Sequence, residues 1–211
     1  MHRRAVLLAA LALPVSAWAQ SASLSAQDRA DIARVESYLN SIRTLHARFL
    51  QIAPDGSTSE GQAWLQRPGR MRFQYDPPSP FLLVGGHGLL VFNDSQLQQT
   101  SNIPLAQTPL GILLQDNLRL SGALTVSNVT RLPGQLQVTL HRTASPQDGS
   151  LTLIFADNPL TLRSWITTDA QRHETRVTLY DVKLGGTFNQ SLFEFVDPRF
   201  FRNNGGGNGS G

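Results

Sequence analysis

The residue types that usually do covalent chemistry occur in this chain, but their arrangement does not support it. His46, His87, His141 and His173 are scattered, with no H-E-x-x-H and no G-x-S-x-G run, the spacings that zinc hydrolases and α/β-hydrolases need. Glu60, Glu174 and Glu194 could be imagined as a carboxylate pair for hydrolysis. Each sits among polar neighbours on an expected strand face and reads as solvated surface. No set of residues brings nucleophile, base and oxyanion donors together. The absence of cysteine excludes disulfides, thiolate metal sites, thiol nucleophiles and a lipid-modified N-terminal cysteine. The expectation is a protein that is not an enzyme and carries no metal or cofactor.

What the chain does offer is large apolar side chains at regular spacing. Trp64, Met71, Phe73, Tyr75, Phe81, Leu83 and Phe92 come from strand patterns, Leu39 from a helix, and Leu110 and Leu113 from a second, short helix. Each alone could be ordinary core. Together they suit an apolar cavity that shelters acyl chains, since a barrel of about eight or more strands can enclose a ligand.

The elements that must position these residues follow from period and turn chemistry. Ser25 with Asp28 forms a capping box, and Ile32, Val35, Leu39 and Ile42 then recur at helical spacing. From His46 onward the period is two. Strands are expected at 46–52, 61–66, 70–75, 81–84, 89–92, 124–131, 135–142, 150–156, 161–168, 174–184 and 192–196. Turn residues separate them, such as Pro54-Asp55-Gly56-Ser57, Gly85-Gly86-His87-Gly88 and Pro133-Gly134. Thr108 then Pro109 is a helix start, followed by the apolar Leu110-Gly111-Ile112-Leu113-Leu114. So short a helix must lie against something apolar. The fold expected is mostly β, an incomplete, half-open antiparallel barrel covered by a short-helix lid.

Length and charge set the boundaries. Of the 211 residues 40% are hydrophobic and 16% charged, which fits one folded domain rather than a disordered chain. His2-Arg3-Arg4, an apolar stretch and Ala17-Trp18-Ala19 read as a signal peptide over 1–19, with cleavage at about Gln20. The domain then runs over 20–202, and the Gly/Asn/Ser-only segment 203–211 reads as a flexible tail. The formal charge is +3, and losing Arg3 and Arg4 leaves +1. That balance argues against nucleic acid, whose binding rests on phosphate neutralisation. Export with no membrane span points to the periplasm.

Gly61-Gln62-Ala63-Trp64-Leu65-Gln66-Arg67-Pro68-Gly69-Arg70-Met71-Arg72-Phe73 resembles the G-x-x-W-x-x-R-P-x-x-[FM]-x-[FW] signature of the LolA family. His46–Gln51, Leu83-Val84 with Leu90–Asn93, Thr108-Pro109-Leu110 and Phe193–Pro198 resemble further family segments in order and spacing. The likeness implies a carrier that shelters the acyl chains of triacylated lipoproteins and moves them from the inner to the outer membrane. It implies as partners an inner-membrane ABC transporter of the LolCDE type and an outer-membrane acceptor of the LolB type, with a monomer as the working form. It also implies that Arg67 bonds lid carbonyls and latches the empty state shut. Gly86-His87 and Phe92-Asn93 depart from the family pattern, and Gly111 is expected to loosen the lid helix. Another amphiphile, such as a glycolipid or polymer intermediate, carried or sensed by the same barrel, is the alternative.

Overall fold

The first helix is built around its caps. The computed structural model describes residues 24–197; the expected signal peptide and tail lie outside them. In α1 (Ala26–Ser41) the Ser25 hydroxyl accepts from the Asp28 N–H at 3.0 Å, and the Asp28 carboxylate accepts from the Ser25 N–H at 2.8 Å. This is the capping box expected from the sequence. Val35 and Leu39 are buried against the sheet, with Ile42 just beyond the helix end. The polar side of α1 is tied down as well. Arg131 reaches the buried Asp31 at 2.6–2.7 Å and Asp28 at 2.8 Å, and Arg34 meets Asp157 at 2.5 Å.

All strands belong to one antiparallel sheet. They are β1 (Thr44–Ile52), β2 (Thr58–Gln66), β3 (Arg70–Tyr75), β4 (Phe81–Gly86), β5 (Leu89–Asp94), β6 (Gln99–Pro104), β7 (Leu124–Leu132), β8 (Gln135–Arg142), β9 (Gly149–Ala156), β10 (Thr161–Asp169) and β11 (Glu174–Leu184). The order across the sheet is β6-β5-β4-β3-β2-β1-β11-β10-β9-β8-β7. Two meanders are therefore joined where the first strand pairs with the last, and β6 and β7 form the edges. Those edges are consecutive in the chain, so residues 105–123 must cross from one edge to the other. That crossing includes α2 (Pro109–Leu113).

Alternation decides which side chains meet α1. Leu45, Ala47 and Phe49 of β1, Met71, Phe73 and Tyr75 of β3, and Leu151, Leu153 and Phe155 of β9 are all buried on the inner face. Gly61 faces Phe49 in register. A Cβ at Gly61 would lie 2.8 Å from the Phe49 ring and 2.2 Å from the Gln74 carbonyl oxygen. Glycine here lets the ring lie flat over the neighbouring strand.

Two expectations are corrected. Residues 192–196 form no strand; Gln190–Phe193 is a short 3-10 helix capped by Asn189, whose side chain accepts from the Ser191 N–H. It packs on the outer face, where Arg72 donates to the Leu192 carbonyl at 3.2 Å and Phe193 is buried with its carbonyl against Gly86. The apolar residues at 192–196 do not alternate cleanly, so a strand would have exposed part of them. Conversely, β6 carries no apolar alternation and escaped notice. Its Gln-Thr-Ser-Asn run is polar on both sides, as an edge strand tolerates.

Candidate functional site

The inner face holds a continuous run of aromatic rings. Trp165 meets Phe73 at 6.1 Å between centroids, Phe73 meets Phe49 at 5.1 Å, and Phe49 meets Tyr75 at 5.0 Å. Tyr75 then meets Phe81 at 5.8 Å, and Phe81 meets Phe92 at 5.4 Å. Most contacts are edge-on or tilted, the arrangement favoured by ring quadrupoles. The Tyr75 hydroxyl donates to Gln51 Oε1 at 2.7 Å, and burial pushes its phenol up to about 12.

Nine of the ten residues expected to line a cavity share this interior. Leu39, Met71, Phe73, Tyr75 and Leu113 are buried, and Phe81, Leu83 and Leu110 are half-buried against the same core. Phe92 is half-buried and opposes Leu83. Trp64 is the exception and is corrected. Gly61, Ala63 and Leu65 take the inner positions of β2, which turns Trp64 outward, where it stacks on His46 at 5.0 Å with the rings 13° apart. The hydrolytic reading of Glu60 also fails on geometry, because Arg48 and the Tyr180 hydroxyl hold its carboxylate on the surface.

The crossing segment covers this interior. Thr108 caps α2, accepting from the Gly111 N–H at 3.0 Å and donating to the Leu105 carbonyl at 2.8 Å. Leu105, Ile112, Leu113, Leu114, Leu118 and Leu120 are all buried. Gly111 does not merely loosen the helix. A Cβ there would lie 2.0 Å from the Leu105 carbonyl oxygen, so glycine is what allows the two turns to touch. With the lid in place, about 30 Å³ is left between Leu39, Leu113, Leu162, Trp165 and Arg67. That is the share of about one water. Outside the lid, a cleft of about 790 Å³ runs between Gly69, Gly88, Ile112, Leu114, Leu124 and Arg142, within the range of about 300–1,000 Å³ typical of ligand pockets.

The lid's polar fastenings come mainly from α1 and from Arg43 just beyond its C-terminal end. Asn40 donates to the Leu118 carbonyl at 2.9 Å and accepts from the Leu118 N–H at 2.8 Å. Glu36 accepts from the Leu120 N–H at 2.5 Å, and Arg43 reaches the Asp116 carboxylate at 2.7 Å. From the sheet side, the Gly69 N–H donates to the Leu114 carbonyl at 2.9 Å. The lid-carbonyl bonds implied for Arg67 are thus made by Asn40, Arg43 and Gly69, and by Arg142, which donates to the Ala106 carbonyl at 2.5 Å. Arg67 is buried and reaches Asn40 Oδ1 at 3.4 Å, and burial, reinforced by Arg43, lowers its guanidinium to about 10. Glu36, Asn40 and Arg43 were not singled out in the sequence. The spacing of Glu36 and Asn40, four residues apart on α1 beside the apolar stripe, was the available signal for those two.

Comparisons with known proteins identify the family. The family model "Outer membrane lipoprotein carrier protein LolA" matches residues 40–196. An outer-membrane lipoprotein carrier protein of Pseudomonas aeruginosa is 30% identical over 199 residues, covering 87% of this chain and 92% of that one. A protein of the same description from Methylococcus capsulatus is 28% identical, covering 89% and 92%. Among solved structures, a DUF1329 family protein from Desulfovibrio piger shares the fold at a TM-score of 0.50 and 8% identity, over 78% of this chain and 95% of that one. Among the described residues no helix is long and apolar enough to cross a membrane. With its signature strands, concave apolar face and leucine-rich cover all inside the matched span, the chain belongs to the LolA family of lipoprotein carriers.

Proposed function

We propose that this protein is a periplasmic carrier that takes up the acyl chains of triacylated lipoproteins beneath its lid and moves them from the inner to the outer membrane. Its donor would be an ABC transporter of the LolCDE type and its acceptor a receptor of the LolB type. The observation that carries this reading is the lid. Six leucine and isoleucine side chains of the crossing segment cover the part of the apolar inner face that α1 leaves open.

The magnitudes are consistent with reversible loading. Three chains of about 15 methylenes each, at about 0.8 kcal/mol per CH₂, would favour full burial by about 35 kcal/mol. Non-covalent affinities saturate near about −18 to −21 kcal/mol. Displacing six buried lid side chains, at about 1.5–3 kcal/mol each, opposes loading by about 9–18 kcal/mol. Partial burial of the chains and the lid's own return together bring the balance into a range from which cargo can be released.

Native mass spectrometry of the protein recovered from the periplasm tests the reading, with co-purified triacylated lipoprotein as the expected result. Expression in cells depleted of their LolA-type carrier should restore lipoproteins to the outer membrane. Recovery of a glycolipid or polymer intermediate instead, with no restoration, would replace lipoprotein with that amphiphile as the cargo.

A further inference from the structure

Asn40 binds the lid as one strand residue binds another. Its side-chain amide both donates to and accepts from Leu118, at 2.9 and 2.8 Å, the two-point exchange that a backbone residue makes in an antiparallel ladder. Glu36 takes the N–H of Leu120, two residues on, and Arg43 donates to the carbonyl of Asp116, two residues back, at 3.3 Å. Alternate residues of an irregular chain segment are thus met by Glu36 and Asn40 of α1 and by Arg43 just beyond its end. What these residues recognise is polypeptide backbone, not leucine side chains.

Beside them lies a second, independent feature. Arg67 is 8% exposed, and among the described residues its guanidinium makes one hydrogen bond, a long one of 3.4 Å to the same Asn40 oxygen. It forms part of the wall of the small apolar cavity with Leu39, Leu113 and Trp165. Its remaining N–H donors are open at the edge of this apolar wall, free to bind water or a ligand. Its position favours a ligand that brings carbonyl oxygen to the rim of the cavity.

Resting on the carrier reading above, we propose that Asn40, flanked by Glu36 and Arg67, is a peptide-recognition site. The lid backbone fills it in the closed protein, and the N-terminal backbone of an acylated polypeptide fills it once the lid leaves. When Leu113, Leu118 and Leu120 withdraw for the chains, the Asn40 amide loses both of its bonds to Leu118 at once and keeps only the long one from Arg67. A cargo with peptide amides restores them. A lipid with the same chains and no peptide has ester carbonyls to accept from the amide but no N–H to donate to its oxygen, which stays without its partner. The site makes the carrier select lipopeptide over simple lipid, and gives Arg67 the acyl-linkage carbonyls as acceptors.

The test uses the full chain and three probes in one detergent: a tripalmitoylated cysteinyl tetrapeptide, the same lipopeptide with its first two backbone amides N-methylated, and tripalmitoylglycerol. On the unaltered protein, N-methylation should weaken binding about tenfold, equivalent to about 1.4 kcal/mol. In Asn40→Ala the closed lid is also weakened, so tripalmitoylglycerol should bind more tightly while the lipopeptide does not, and the preference should fall about tenfold. If N-methylation changes affinity less than twofold and Asn40→Ala shifts both parent probes equally, Asn40 is a lid fastening alone and the inference is overturned. If neither lipopeptide nor tripalmitoylglycerol binds the unaltered protein, the carrier reading itself fails, and this site with it.

Discussion

The two helices that cover the sheet are held by different physics. α1 is 16 residues long, capped by its own box, and pinned by Arg131 on Asp28 and Asp31, by Arg34 on Asp157 and by Tyr38, whose hydroxyl accepts from the Leu162 N–H at 3.1 Å. These partners lie on β7, β10 and the β9–β10 turn, so α1 is bolted to the sheet. α2 has five residues and no ion pair within it. Its segment is held by leucines, by a short row of bonds to α1, Gly69 and Arg142, and by a single exposed ion pair, Arg43 on Asp116. A helix that short has no stability of its own. The bracket is permanent and the cover is separable, so the cover is the part that can yield to a ligand while the fold survives.

Removing a ring from the fixed half should give the largest effect. Phe49→Ala deletes a fully buried side chain that touches Phe73 and Tyr75 and should cost about 3–5 kcal/mol of global stability, read by urea unfolding. Leu118→Ala should act elsewhere. Its side chain is equally buried, but it belongs to the cover, so hydrogen exchange at the 105–120 amides should speed by about 100-fold, or about 2.7 kcal/mol, with β1 and β9 amides unchanged. Equal acceleration in the sheet would mean that cover and sheet open as one unit, and the distinction between the two halves would be lost.

Gly111 sharpens the same contrast on a smaller scale. Helix propensity alone predicts that Gly111→Ala tightens the lid by up to about 1 kcal/mol. The approach of the Leu105 carbonyl to 2.0 Å of the added methyl predicts the reverse, a loss of about 1–3 kcal/mol from overpacking. Exchange rates at Ile112–Leu114 decide between them, and faster exchange is expected.

What could be read from the sequence tracks how local its cause is. Strand β3 and its inner face follow from strict alternation at Arg70–Tyr75, and the caps at Ser25 and Thr108 follow from residue type and position alone. Trp64 lies three positions from Gly61, so alternation turns it outward once Gly61 is seen to face Phe49, and nothing within β2 alone says which face is inner. β6 was invisible because an edge strand at the rim buries little, and its ladder to β5 depends on backbone rather than side chains. Asn40 escaped for a related reason. Its meaning lies in a pairing with Leu118 across 78 residues, and neither sequence neighbourhood contains both halves.

The weakest expected effect lies at the far end of the fixed helix and separates the halves by pH. Hydrogen bonds from Ser25, then Arg131, hold the Asp28 carboxyl down to about 2 from an ordinary 3.8. A folded-state value below the unfolded one means that the stabilisation is complete above pH 3.8 and is lost as pH falls through about 2. Asp28→Asn keeps the shape of the cap but cannot lose a charge, so its melting temperature should fall less steeply over that interval than that of the unaltered protein. Exchange at Leu118 and Leu120 should be the same in both, because Asp28 fastens α1 to β7 and touches nothing in the cover. A lid that loosened in step with Asp28 protonation would show that α1 passes its own attachment on to the segment it holds, and the bracket could then no longer be treated as rigid.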